Sequence, residues 1–228
     1  MKESFIYKDL QTVGIVAVLA FGINSQASAF PTFTVDPNAV FGAVGGPHPG
    51  PFQANFITGT SSTLVKLDTT GPFPVGTTAN GAGWVNFSSF VDGSGTGLSG
   101  NVSGLNNNWQ MWAEFSYTLT LANGTYTKVD SDYTVTSMHA DFWVDPSITS
   151  ATAFISATNS GGAASVVHGA DSFKIATAHL INGVADINAL GGSGFNSTTN
   201  FVLLDPQGSA LFPLSGQRLM GRKSREWR

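Results

Sequence analysis

The sequence predicts an all-β fold, a β-sandwich of jelly-roll type with at most one short helix. Three observations carry that expectation. Gly, Ser, Thr, Asn, Val and Phe dominate the chain, whereas Glu and Lys, the charged helix formers, are scarce. Short runs of alternating polarity are separated by Gly and Asn clusters, and Asn-Gly pairs stand at 80–81, 123–124 and 182–183; Asn-Gly is the strongest short-range hairpin signal. Cysteine is absent, so the fold must rest on buried area and strand pairing rather than on disulfides.

The clearest strand covers 111–121. One parity holds Met111, Ala113, Phe115, Tyr117, Leu119 and Leu121; the other holds Trp112, Glu114, Ser116, Thr118 and Thr120. Period-two segregation of this kind means one buried and one wet face. Asn123-Gly124 turns the chain, and Tyr126 onward returns. A second alternation sets Met138, Ala140, Phe142 and Val144 against His139, Asp141, Trp143 and Asp145. Further strands are expected at 52–58, 62–67, 83–91, 151–157, 172–180 and 199–204. Sheets wet on one face pair up, which points to a sandwich. The single short helix is expected over 181–190, with Asn182 as N-cap and Gly191 as C-cap. The Gly-rich stretches 42–50, 93–100 and 159–163 read as loops, none long enough to separate two domains.

At the front, Lys2 and Lys8 precede an apolar run over 13–23, and Ala27 and Ala29 follow in A-x-A spacing. Charged region, short apolar region and small-residue site in that order predict a secretory signal peptide cut after Ala29. From Phe30 to Gln217 the chain carries three lysines, Lys66, Lys128 and Lys174, against eleven acids. An acidic body argues against nucleic acid as a partner, and no stretch after residue 29 is apolar for long enough to make a transmembrane helix. Five basic residues then arrive within the last eleven: Arg218, Arg222, Lys223, Arg225 and Arg228. The expected organisation is a signal peptide over 1–29, one β-sandwich domain over 30–213, and an atypical basic tail over 214–228.

Candidate chemistry concentrates on one strand face. His139, Asp141, Trp143 and Asp145 at alternate positions line up two carboxylates, an imidazole and an indole. Carboxylates in such a row suit Ca²⁺ or sugar hydroxyls, and an indole stacks on a pyranose face. The expected carbohydrate-binding set is Trp143, Asp141, His139, Asp145 and Trp112, with Asp141 and Asp145 as calcium ligands; the wet face of any antiparallel strand shows the same alternation. Asp130 and Asp132 form a second acidic pair nearby in sequence. Gly95 to Gly100 fits G-x-G-x-x-G, but no helix-forming run follows to hold a pyrophosphate. There is no G-x-S-x-G, Glu114 is the one glutamate of the body, and His48, His139, His168 and His179 lack metal-ligand spacing. No catalytic constellation emerges, so the expectation is a protein that is not an enzyme and has no cofactor beyond calcium.

Several segments resemble a known family. FPTFTVDPNAV at 30–40, INGVADINALGG at 181–192 and TTNFVLLDPQGSALFP at 198–213 are together similar to the flocculation-associated PEP-CTERM proteins of Gram-negative bacteria. The resemblance implies an exported protein of the extracellular matrix or cell surface, linked to exopolysaccharide and cell aggregation, that contacts polysaccharide or other copies of itself. It carries over no catalytic residue. Members of that family end in Pro-Glu-Pro, an apolar helix and an Arg cluster recognised by an exosortase. Here a basic cluster alone follows Pro213. A frameshift near residue 210, a basic tail for anionic surface polymer and an ordinary solvated terminus are three explanations; the break in composition at Arg218 favours the first. A discrete carbohydrate-binding module, calcium-dependent through Asp141 and Asp145, is the alternative reading.

Overall fold

A computed structural model of the 228-residue chain describes residues 32–44, 46–67, 74–124, 130–149, 152–158, 161–187 and 193–213. The expected signal peptide and basic tail lie outside the described residues. The fold is all-β and sandwich-like. Its centre is a six-stranded antiparallel sheet of β3 (Phe56–Leu67), β4 (Thr78–Val91), β5 (Gln110–Asn123), β6 (Ser131–Asp145), β9 (Phe173–Ile187) and β10 (Ser193–Leu203), in the order β10-β9-β6-β5-β4-β3. A ribbon of β1 (Phe33–Val35) and β2 (Phe52–Ala54) and another of β7 (Ala153–Ile155) and β8 (Ser165–Val167) are the other strands among the described residues.

Within the large sheet each strand pairs with its nearest described neighbours in sequence, with the β7–β8 ribbon inserted between β6 and β9. The Greek-key crossing of a jelly roll is not among the pairings of the described strands. Local hairpin pairing closes shorter loops and so costs less chain entropy.

One face of the sheet carries the main core. Val85, Phe87, Trp109, Met111, Ala113, Ala140, Phe142, Val144 and Ile175 are buried there beneath Val35, Phe41, Phe52, Ala54 and Leu211. The register between β3 and β4 slips at Ser88, which lets Phe87 and Phe90 both turn inward. Three short helices serve this layer: α1 (Pro37–Phe41), α2 (Gly100–Ser103) and α3 (Gln207–Leu211). Asp36 caps α1, its carboxylate accepting from the Ala39 N–H at 3.1 Å, with Pro at the first helical position. The Asp36 N–H donates to the Leu211 carbonyl at 2.8 Å and ties α1 to α3. Trp109, fully buried, donates from Nε1 to the Ser103 carbonyl at 2.9 Å. Gly104 beside it has φ 73°, and a Cβ there would strike the Trp109 indole, so glycine is required twice over.

Further along the same face Tyr117, Leu119, Leu121, Tyr133 and Val135 form a second cluster with Val65 of one edge strand and Phe195 of the other. Phe195 on β10 lies 5.0 Å, ring to ring, from Tyr117 on β5 although two strands stand between them. The sheet therefore curls over its apolar face, as twisted antiparallel sheets do.

Three expectations are corrected. The helix placed at 181–190 is strand through Ile187, and the short helices lie elsewhere. Asn80-Gly81 and Asn182-Gly183 are not turns: they lie inside β4 and β9. Gly81 is glycine because the Tyr117 ring of the paired strand lies directly on it, where a Cβ would collide. Asn123-Gly124 does end β5, with Gly124 at φ 85°.

Candidate functional site

The face opposite the main core is built from cross-strand rows. Strand pairing sets Asn86, Trp112, Trp143 and Lys174 in one row. The next row holds Ser62, Trp84, Glu114, Asp141 and Thr177, and the one after holds Leu64, Ala82, Ser116, His139, His179 and Asn200. A last row runs Asn80, Thr118, Ser137.

The β7–β8 ribbon roofs the first two rows. Phe154 packs against Trp84 at 5.1 Å and against Trp112 at 5.9 Å, ring to ring. Trp84 Nε1 donates to the Ile155 carbonyl at 2.9 Å, and the Ala157 N–H donates to the Ser62 hydroxyl at 2.9 Å. His168, just beyond β8, sits edge-on to both Trp143 (4.3 Å) and Trp112 (5.4 Å). Its Nε2 pairs with Glu114 Oε1 at 2.6 Å. The Trp112 indole N–H donates to the same oxygen at 3.3 Å.

Each residue expected in the carbohydrate site has a definite place. Trp112 is fully buried and offers no stacking face. Trp143 is half-buried, with the Lys174 ammonium 5.5 Å from its ring centroid, a cation–π contact. Asp145 is fully buried; it accepts from the Ser147 N–H at 3.0 Å and from the hydroxyls of Thr152 at 2.5 Å and Ser172 at 3.5 Å. Those donors organise the chain after β6, and they occupy the carboxylate. Asp141 is bound on one oxygen by Lys174 Nζ at 2.9 Å and on the other by His139 Nε2 at 3.0 Å. Four residues along a strand separate Asp141 and Asp145 by about 13 Å, so they do not converge on one ion. Among the described residues no group of three or more His, Cys, Asp or Glu side chains is arranged to hold a metal. Asp132, nine residues up β6 and about 30 Å away, meets Asn123 instead, at 3.4 Å.

What the structure does bring together is His139, Asp141, Lys174 and His179. His139 Nδ1 stands 3.3 Å from His179 Nδ1 across the β6–β9 pair. Beside them lies an open trough of about 310 Å³ lined by Leu64, Asn80, Ala82, Ser116, Thr118 and Ser137. Its floor is small and hydroxylic. Thr118 Oγ1 donates to Asn80 Oδ1 at 2.9 Å, and Ser137 Oγ donates to Thr118 Oγ1 at 3.0 Å. Sequence reading set His168 and His179 aside for want of metal-ligand spacing, and missed Lys174 and this trough. Their meeting depends on the β6–β9 register across a 27-residue excursion, for which no local pattern exists.

The G-x-G-x-x-G stretch forms a tight turn rather than a phosphate loop. Asp92 Oδ1 accepts from the Ser94 hydroxyl at 2.6 Å and from the N–H groups of Ser94 and Thr96 at 2.9 and 3.0 Å. The Ser94 hydroxyl and the Thr96 N–H hold the Asp92 carboxyl below its ordinary range. The helix that follows, α2, is one turn long.

The described part of the chain is thus an all-β, sandwich-like body. No protein-family model, no curated protein and no solved structure matches the chain. Among the described residues no helix is long and apolar enough to cross a membrane.

Proposed function

We propose that this is a non-enzymatic exported protein of the extracellular matrix, acting in cell aggregation together with exopolysaccharide at the surface of a Gram-negative bacterium. The observation that carries the reading is the state of the sheet edges. β3 and β10 are twelve and eleven residues long and end the sheet on either side. Together they hold one charged residue, Lys66, and no proline. Sheets that stay apart guard their edges with charge, proline or a cover. Edges left this plain suit a protein whose work is contact with copies of itself and with polymer. The segments similar to flocculation-associated PEP-CTERM proteins support the same setting.

The test is genetic and biochemical together. Loss of the gene should reduce flocculation in a strain that makes exopolysaccharide, and the protein should appear, processed after Ala29, in the matrix fraction. Undiminished flocculation with the protein retained inside the cell would sink the proposal.

A second reading, a discrete carbohydrate-binding module, is favoured by the trough. Its amide and hydroxyl row along Asn80, Thr118 and Ser137 offers the donors and acceptors that sugar hydroxyls pair with. On that reading the glycan lies beside His139 rather than on Trp143. Saturable binding of one glycan, lost in a Thr118→Ala, Ser137→Ala variant that still folds, would favour the module. Broad weak binding insensitive to both changes would favour the matrix protein.

A further inference from the structure

We propose that His139 and His179 together bind a divalent transition-metal ion of the zinc type on the open face of the sheet. Neither residue belongs to a described core, and His139 keeps 45% of its side-chain surface exposed. They are directly opposite on β6 and β9, with Nδ1 atoms 3.3 Å apart. Two imidazole nitrogens bound to one tetrahedral ion at about 2.0–2.1 Å each stand about 3.3–3.4 Å apart. The observed separation is that of a bidentate pair. A hydrogen bond between the same two nitrogens already holds them at that spacing.

The second argument concerns the proton. Asp141 Oδ1 lies 3.0 Å from His139 Nε2, and Lys174 Nζ holds the other oxygen at 2.9 Å. A carboxylate there keeps the hydrogen on Nε2 and leaves a lone pair on Nδ1, facing His179. Metal-binding imidazoles are oriented in this way, by a carboxylate on the far nitrogen. Asp141 is thus a positioning residue and Lys174 fixes it. Ser116 and Asn200, the row neighbours of His139 and His179, leave one side small and both sides polar, so water completes the coordination. His48 and His168 do not compete: His48 Nε2 is 2.6 Å from the Val44 carbonyl, and His168 is paired with Glu114.

Calorimetric titration of the full chain with Zn²⁺ tests the site. Wild type should take up one equivalent saturably. His139→Ala and His179→Ala should each weaken uptake at least tenfold, and Asp141→Asn should weaken it about tenfold. Zn²⁺ should raise the melting temperature of wild type and leave that of the double histidine variant unmoved. No uptake by wild type, or equal uptake by wild type and the double variant, would overturn the proposal. Both histidines are exposed, so the variants should fold, and an unchanged circular dichroism spectrum confirms it.

Discussion

Trp112 and Trp143 stand opposite one another on β5 and β6, with ring centroids 6.5 Å apart and planes within 8°, and His168 closes over both edge-on. This pair is the keystone of the layer under the β7–β8 ribbon, not an open platform. Trp112→Ala should cost about 3–5 kcal/mol of stability, as for a fully buried tryptophan, and Trp143→Ala rather less, about 1–3 kcal/mol. Urea denaturation reads both. A Trp143→Ala protein as stable as wild type would mean that the ring is a surface feature after all.

Asp145 carries a second consequence. Its buried carboxylate serves the Ser147 N–H and two hydroxyls, so Asp145→Ala leaves buried donors without an acceptor. A loss of about 2–4 kcal/mol is expected. Because Asp145 is spent in this way and Asp141 is held by Lys174 and His139, millimolar Ca²⁺ should leave the melting temperature of wild type unchanged. A calcium-dependent rise would restore Asp141 and Asp145 as ligands.

Gly81 gives a packing test. The Tyr117 ring lies on it, so Gly81→Ala must push the ring off the second core cluster. Overpacking of this kind costs about 1–3 kcal/mol. Gly81→Ala combined with Tyr117→Leu should recover part of that loss, because the obstructing ring is gone; simple addition of the two single effects would contradict the contact.

Two groups set the response to pH. Burial raises the Tyr117 phenol above its ordinary value, with the Thr63 hydroxyl opposing in part. A raised folded pKa gives stability that is complete below the unfolded value, about 10, and is lost as pH rises through the folded one. Tyr117→Phe should therefore flatten the alkaline decline in urea midpoint above about pH 10. Asp92 works in the opposite sense. Its folded pKa is lowered, so its contribution is present above about pH 3.9 and disappears as pH falls through the folded value. Asp92→Asn should lessen acid sensitivity in the 92–97 turn, read as amide exchange at Ser94 and Thr96.

The central strands were legible because their environment is asymmetric. β5 and β6 bury Met111, Ala113, Ala140 and Phe142 on one side and leave Ser116 and His139 open on the other, so the alternation is written in the residues. β9 was cut short for the opposite reason. Ile181 and Val184 are apolar yet 62% and 61% exposed, so apolar residues do not mark the inward parity of the strand beyond Leu180. Asn80-Gly81 misled because the turn rule weighs local conformation, whereas Gly81 is fixed by a ring on the next strand. The cap of α1 is written locally in Asp36-Pro37, a capping carboxylate before a helix-opening proline. Of the site, the face shared by His139, Asp141 and Trp143 was visible. Its partners were not, since Lys174, His168 and His179 arrive only through long-range pairing.

The edges of the sheet govern the proposed work of the protein in the matrix. Val202 on β10 is 43% exposed, and Thr60 on β3 is exposed; a lysine at each position places a charge in the middle of both edges. Sedimentation velocity of the mature protein, over a wide concentration range and with metal removed, should show open-ended growth in wild type. The Thr60→Lys, Val202→Lys variant should stay monomeric. A wild-type protein that remains monomeric at every concentration, with or without exopolysaccharide, would contradict assembly through the edges and leave the trough as the surface that works.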